Sequence, residues 1–327
     1  MHVGDIMTLN VGVIGVGGIA QGHLRNITKS PIADLVAVCD VVEEKAEVAA
    51  ESFDARMYTE YDQMIEKEDL EAVYICVPPH AHGEIEMKAI ENDLALFIEK
   101  PLSSDPEIPE KISKAITERG LISSVGYNWR YSDMTQRALD LLEGQIIGLV
   151  VGYWMGGCPG VAWWRVKSKS GGQIVEQTTH IFDMARCLSG EVKRVYASAG
   201  LQVMQDHVEG LDVDDASVVN LEFANGAPGV VISTCMLSQG YRAMLSAFTK
   251  DLALEHTQGS LRVTRPGEEV TYKSSNDPYF KEDQVFLQAV DSGDPSEILS
   301  PYDDALKTHR VTMAANRCIE TGKPQEI

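Results

Sequence analysis

Five short, uninterrupted apolar runs rich in β-branched residues punctuate the first part of the chain, at 9–14, 34–39, 72–77, 94–98 and 121–125. A strand with one wet face alternates apolar and polar side chains. A continuous run marks a strand covered on both faces, as in a parallel sheet. Between the runs, 43–52, 82–92 and 106–119 carry apolar residues at helical spacing. Strand and helix in alternation predict a parallel, doubly wound sheet.

The pattern changes after Tyr127. Helices are predicted over 132–143 and 176–189, the second with Ile181, Met184, Ala185 and Leu188 on one face. From 192 to 272 the text becomes strand-like. Residues 217–223 alternate, Asn225-Gly226 is a turn signal, 229–235 resumes the strand, and 245–248, 252–256 and 261–264 continue. This predicts an antiparallel sheet with helices on one face. The acidic, weakly patterned stretch 206–215 reads as a mobile loop, and 280–290 and 303–320 as terminal helices. The expected division is 1–126 and 127–327, with the 303–320 helix able to pack back on the first domain.

Composition narrows the function. A chain of 327 residues, 44% hydrophobic, can bury its core without metal or disulfide staples. With 28 Lys and Arg against 49 Asp and Glu, the net charge is −21. Nucleic acid and anionic membrane partners both require a basic footprint, so neither is expected. Cys39, Cys76, Cys158, Cys187, Cys235 and Cys318 are scattered without a CxxC pair or zinc-like spacing. They read as thiols of a reducing compartment, and no metal site is expected. No apolar run is long enough to span a bilayer. The opening residues lack the basic and apolar regions of a signal peptide, and Met7 is an alternative start. A cytoplasmic protein is expected.

The first run leads into Gly15-Val16-Gly17-Gly18-Ile19-Ala20, which fits G-x-G-x-x-G/A. Gly15 permits the tight turn, Gly17 lets the backbone approach a pyrophosphate, and Ala20 lets helix and strand pack closely; Gly18 and Ile19 lie between as further candidate cofactor residues. The N–H groups opening the next helix favour the phosphates. Asp40 ends the second run, where an acid binds the ribose hydroxyls of a dinucleotide; it could also cap the following helix. Val41 and Val42 follow it, with no cation to offset a 2′-phosphate, so NAD is favoured over NADP.

Pro78-Pro79-His80-Ala81-His82 follows the run at 72–77, at the carboxyl edge of the sheet, where ligands bind. Pro78 shapes that loop. His82 is open to two readings, cofactor contact or a helix-start residue with local hydrogen bonds. Glu99-Lys100-Pro101 ends the run at 94–98, which places Glu99 and Lys100 beside the nicotinamide. A lysine there can stabilise a developing alkoxide or help move its proton; it could equally form a surface pair with Glu99.

These motifs, in this order and spacing, resemble the glucose–fructose oxidoreductase, inositol dehydrogenase and MocA family (Gfo/Idh/MocA) over nearly the whole chain. The resemblance implies an N-terminal Rossmann-type parallel sheet and a C-terminal α+β domain on a large, open, mostly antiparallel sheet. It also implies a cis peptide between Lys100 and Pro101. The segment from Gly171-Gly172 to Asp183 is similar to the family's Gly-Gly…Asp-x-x-x-His-x-x-Asp. His180 then takes the role of acid/base, with Glu176 at the position of the partner carboxylate, where the family has Asp. On one helix, Glu176 and His180 at i, i+4 would share a face. The longer Glu arm leaves open whether Glu176 supports the imidazole or binds a substrate hydroxyl. Asp183, three residues on, could hold the imidazole or cap neighbouring structure.

Tyr127-Asn128-Trp129-Arg130-Tyr131 opens the second domain, and Trp163-Trp164-Arg165 precedes the glycine pair. Aromatic faces cover the C–H surface of a sugar ring and guanidinium groups bind hydroxyls or a carboxylate, so Tyr127, Arg130, Trp164, Arg165 and Asp183 are substrate-site candidates. Core or interface packing is the other reading of the tryptophans.

Together these predict an NAD-dependent oxidoreductase acting on a secondary alcohol of a sugar, inositol or related polyol, with Lys100 and His180 meeting at one carbon. The same residue types allow redox-assisted glycoside hydrolysis, and the same fold allows an NAD-sensing regulator without activity. The resemblance also implies a homodimer or homotetramer built on the second-domain strands.

Overall fold

The computed structural model describes residues 8–327; Met7, the alternative start, lies outside the described residues. The chain forms two compact units. One runs to Leu102 and adds Glu107–Asn128 and Pro278–Asp304; the other comprises Ser103–Pro106, Trp129–Asp277 and Ala305–Ile327.

The first unit is built on six parallel strands: β1 (Leu9–Ile14), β2 (Ala33–Cys39), β3 (Arg56–Tyr58), β4 (Ala72–Ile75), β5 (Ala95–Ile98) and β6 (Ser123–Val125). Their order is β3-β2-β1-β4-β5-β6, the doubly wound arrangement with its switch point beside β1. Helices α1 (Ala20–Thr28), α2 (Glu43–Phe53), α3 (Tyr61–Lys67), α4 (Glu84–Glu91) and α5 (Ile108–Arg119) connect them. Every residue of β4 and β5 is buried, which is what their unbroken apolar text requires. The edge strand β3 escapes the pattern because it has three residues, none of them fully buried. On α1 the buried face is Ala20, His23, Leu24 and Ile27, an i, i+3, i+4, i+7 stripe with one polar member.

The second unit contains α6 (Asp133–Leu142), β7 (Leu149–Met155), the short helices α7 (Lys167–Ser170) and α8 (Gln173–Glu176), and α9 (Thr179–Ser189). Strands β8 (Val192–Gly200), β9 (Ala216–Phe223), β10 (Pro228–Thr234), β11 (Arg242–Phe248), β12 (Ala253–Thr257), β13 (Ser260–Arg265) and β14 (Glu268–Lys273) follow. The late helices are α10 (Pro278–Ser292), which groups with the first unit, and α11 (Tyr302–Thr321); the chain ends in β15 (Gln325–Glu326). The nine-stranded sheet has the order β14-β13-β12-β11-β7-β10-β9-β8-β15, antiparallel throughout except between β7 and β10. Its core sets Val219, Leu221, Val231 and Leu245 against Ile181, Phe182 and Met184 of α9.

Two features differ from the sequence reading. Strand β7, at the centre of the sheet, was not anticipated, because Gly152 interrupts its apolar text. The single helix predicted over 176–189 is two helices. Thr178 N–H bonds back to the Gln173 carbonyl at 2.9 Å and closes α8, and α9 restarts at Thr179. The apolar periodicity begins only at Ile181, and Thr178-Thr179 is a weak helix-forming pair, so the pattern did not define where the helix starts. No helix among the described residues is long and apolar enough to cross a membrane.

Candidate active site

In the first unit the nucleotide motif adopts the geometry its residues require. Gly15 has φ +82°, and a Cβ there would lie 2.4 Å from the Cys76 carbonyl oxygen, so only glycine fits the turn from β1 into α1, against the end of β4. Above Gly17 and Gly18 the space is open: a Cβ on either would meet nothing within 4 Å. No side chain caps the first turn of α1. Ala20 is fully buried against the sheet and Ile19 is exposed. Asp40, half-buried, accepts N–H bonds from Val16 at 3.1 Å and Val42 at 2.9 Å, which ties the glycine loop to the end of β2. Each carboxylate oxygen has a lone pair left for a ribose hydroxyl. Exposed Val41 and Val42 flank it and bring no cation. Glycine loop, uncapped helix start and strand-end acid together fit a pyridine dinucleotide.

Other predicted cofactor residues are placed differently. Pro78 stands half-buried at the start of the loop. The side chain of His82 is fully buried, and its Nδ1 pairs with Glu86 at 2.5 Å. Glu86 also accepts the Gly83 N–H at 2.6 Å. His82 thus makes the local hydrogen bond of the helix-start reading. Glu99 also has protein partners. It is buried, with Oε1 3.0 Å from His23 Nε2 and Oε2 accepting the Lys100 N–H at 3.0 Å. Lys100 itself is half-buried, and the Lys100–Pro101 peptide is cis.

The sequence reading passed over His23. Its Nδ1 lies 2.7 Å from Asp283 Oδ1, and Asn26 donates to Asp283 Oδ2 at 2.8 Å. Burial works against the imidazolium, but Asp283 and then Glu99 hold its pKa well above the usual histidine value. The signal was a histidine within the apolar stripe of α1.

In the second unit, His180 is the second residue of α9 and almost wholly buried. Its ring lies nearly parallel to two indoles: Trp129 at 6.2 Å and 18°, Trp154 at 5.8 Å and 17°. Trp129 is braced in turn. Thr135 donates to its carbonyl at 2.6 Å, and that hydroxyl is 2.9 Å from His256 Nε2, which therefore donates. Burial pushes His256 down to about 4, so it is neutral at pH 7. Trp154 went unnoticed because β7 did.

Glu176 ends α8 and accepts the Trp164 indole N–H at 2.7 Å. The helix break removes the shared face on which its pairing with His180 was argued. Trp164 is fully buried in an apolar cluster with Leu211, Val213 and Cys235, and Tyr127 is buried in the first unit. Neither ring face is open to a sugar, contrary to expectation. A predominantly apolar ring that large gains more from core burial than from exposure.

Asp183 is likewise enclosed. Arg130 forks onto it at 2.8 and 2.6 Å, and Thr308 donates to it at 3.0 Å. Thr308 accepts from Arg186 at 2.7 Å, and Arg186 forks onto Glu191 at 2.8 and 2.9 Å. Asp183 thus positions Arg130 rather than facing a ligand. Arg165 is half-buried, and its Nε has no hydrogen-bond partner among the described residues.

The two folds and this dinucleotide edge define an oxidoreductase of the NAD-binding Rossmann class, and comparison with known proteins agrees. Residues 9–127 match the model of the oxidoreductase family with NAD-binding Rossmann fold, and 142–262 match the GFO/IDH/MocA C-terminal domain. The chain belongs to the Gfo/Idh/MocA family. It is 27% identical to the myo-inositol 2-dehydrogenase of Thermotoga maritima, over 89% of this chain and 90% of that one. It is 26% identical to the NAD(+)-dependent scyllo-inositol 2-dehydrogenase of Bacillus subtilis, over 96% and 95%. The solved complex of levoglucosan dehydrogenase with NADH and levoglucosan superposes with a TM-score of 0.87 at 20% identity, covering 98% of this chain and all of that one. This last likeness is one of fold.

Proposed function

We propose that this chain is an NAD-dependent dehydrogenase that acts on a secondary alcohol of a sugar, inositol or related polyol. The observation that carries the reading is the nucleotide edge: a Gly15 turn, open space over Gly17 and Gly18, and Asp40 tied to the loop by two N–H bonds. The names of the inositol dehydrogenases among its relatives support the substrate class.

When bound, NAD supplies the acceptor or donor of the hydride. The loop N–H groups and the start of α1 hold the diphosphate, and Asp40 takes the adenosine ribose hydroxyls. His180 removes the substrate's hydroxyl proton. Trp129 and Trp154, nearly parallel to its ring, fix the plane of the imidazole. Lys100 offsets the negative charge that grows on the oxygen as that proton leaves. Arg130, fixed by Asp183, and Arg165 bind neighbouring hydroxyls. Glu176 acts through Trp164, whose indole it anchors.

The chain also works as a homo-oligomer. Val218, Ile232, Val151 and Tyr153 lie on the sheet face opposite the core, and Val218 is exposed. Light scattering tests that statement. For the activity, a panel of inositols, aldoses and sugar acids is offered with NAD and with NADP while nicotinamide absorbance is followed. Turnover of at least one polyol with NAD is the expected result. Silence across the panel, or turnover with NADP alone, would sink the proposal.

A further inference from the structure

The first unit buries a cluster of acids around one histidine. Its centre is His23, on the buried stripe of α1, the helix that opens at the glycine loop. Glu99 faces it from the end of β5, and Asp283 and Glu282 from α10; ligand atoms of His23, Glu99 and Glu282 all lie within 4.8 Å of one another. Tyr74 of β4 and Phe97 of β5, stacked on each other at 4.6 Å, lie tilted against the imidazole at 5.4 Å and 4.9 Å. Burial, reinforced by the neighbouring acids, pushes the Tyr74 phenol and Cys76 thiol well up, so both are neutral and neither offsets the carboxylates.

Geometry and electrostatics agree on the form of His23. Each ring nitrogen meets a carboxylate oxygen, at 2.7 Å and 3.0 Å, and Asp283 and Glu99 hold its pKa well above the usual histidine value against the cost of burial. The imidazolium offers one N–H to each of these two acids.

Glu99 is held on three sides. Its Oε1 is bound by His23, its Oε2 accepts the Lys100 N–H, and Gly126 lies so close that a Cβ there would sit 2.8 Å from the carboxylate. A carboxylate fixed this way fixes the amide that donates to it.

We propose that His23 is a positioning residue for Lys100: it clamps Glu99, and the second oxygen of Glu99 holds the Lys100 peptide in place. The glycine-loop helix is thereby joined to the strand end that carries the lysine, through one imidazolium and one carboxylate. The assignment rests on the functional reading only for the role of Lys100; the clamp is independent of it.

Three measurements on the whole chain test it. In protein labelled with 15N-histidine, the His23 resonances, assigned by their loss in His23→Gln, are expected to show both ring nitrogens protonated at pH 8; a neutral ring overturns the clamp. The second measurement is the rate at which an amine-reactive reagent modifies Lys100 without cofactor, read by peptide mass spectrometry against exposed Lys193. In His23→Gln the Lys100 rate is expected to change by about threefold or more with Lys193 unmoved, and kcat per NADH-binding site to fall about tenfold or more with little change in KM, since small misplacements cost rate. An unchanged Lys100 rate in a folded variant overturns the proposal. If His23→Gln does not fold, Glu99→Gln carries the same comparison with the same outcomes. Should wild-type protein turn over no polyol, the functional reading fails, while the labelling result still decides the clamp.

Discussion

His180 lies nearly parallel to two indole rings, and that changes what a substitution nearby should do. Each indole stack contributes about 0.5–1.5 kcal/mol beyond area burial, too little to unfold the unit but enough to control a ring plane. Trp154→Leu is therefore expected to leave NADH affinity within about twofold and to lower kcat about tenfold, since a displaced base loses its line to the proton. Stopped-flow turnover and NADH fluorescence titration separate the two effects. His256 offers a pH test. Its folded pKa, about 4, lies below the usual 6.5 because of burial. Between those values the unfolded chain binds a proton that the folded one refuses. The contribution is complete above pH 6.5 and is lost as pH falls toward 4, a swing of about 3 kcal/mol. His256→Gln keeps a donor for Thr135 without a titrating group. Its unfolding free energy, from urea melts at pH 7 and pH 4.5, is expected to fall less than that of the wild type.

At the scale of elements, the break between α8 and α9 puts Glu176 and His180 on separate helices. The Oε2 of Glu176 accepts a hydrogen bond from the Trp164 indole N–H, which an amide oxygen also does. Glu176→Gln should then retain kcat within about threefold, while Glu176→Ala, which leaves the buried indole N–H unpaired, should cost about 1–3 kcal/mol of stability. A loss of two orders of magnitude in Glu176→Gln, with an unchanged melting temperature, would return that carboxylate to the proton path. This element also marks the limit of legibility. Apolar spacing at Ile181, Met184, Ala185 and Leu188 identified α9, but a spacing says which face is buried and not where the first turn begins. Strand β7 was missed for a related reason: one glycine erased its pattern, although pairing with β10 and β11 holds it from both sides.

For the whole molecule, the excess of 21 negative charges sets the response to salt. Self-repulsion opposes the compact state and is screened over about 8 Å at 0.15 M ionic strength. The melting temperature is expected to rise by a few degrees between 10 and 300 mM sodium chloride, with no retention on a duplex DNA column at the lower concentration. A falling melting temperature would mean that the surface ion pairs outweigh the repulsion.

What the amino-acid string determined alone is what neighbours in sequence decide: continuous apolar runs for doubly covered strands, a glycine spacing that only one turn satisfies, an acid at the end of β2. Gly15, Gly17, Gly18, Ala20 and Asp40 were legible because their geometry is local. What the tertiary structure decided is partnership. His23 and Asp283 are 260 positions apart, Arg130 and Asp183 are 53 apart, and Trp129, Trp154 and His180 come from three separate elements. Periodicity reports that a side chain is buried. Which buried charge answers which, and which ring lies on which, depends on chain folding that brings distant segments within about 3–6 Å, the range over which hydrogen bonds and ring stacking act.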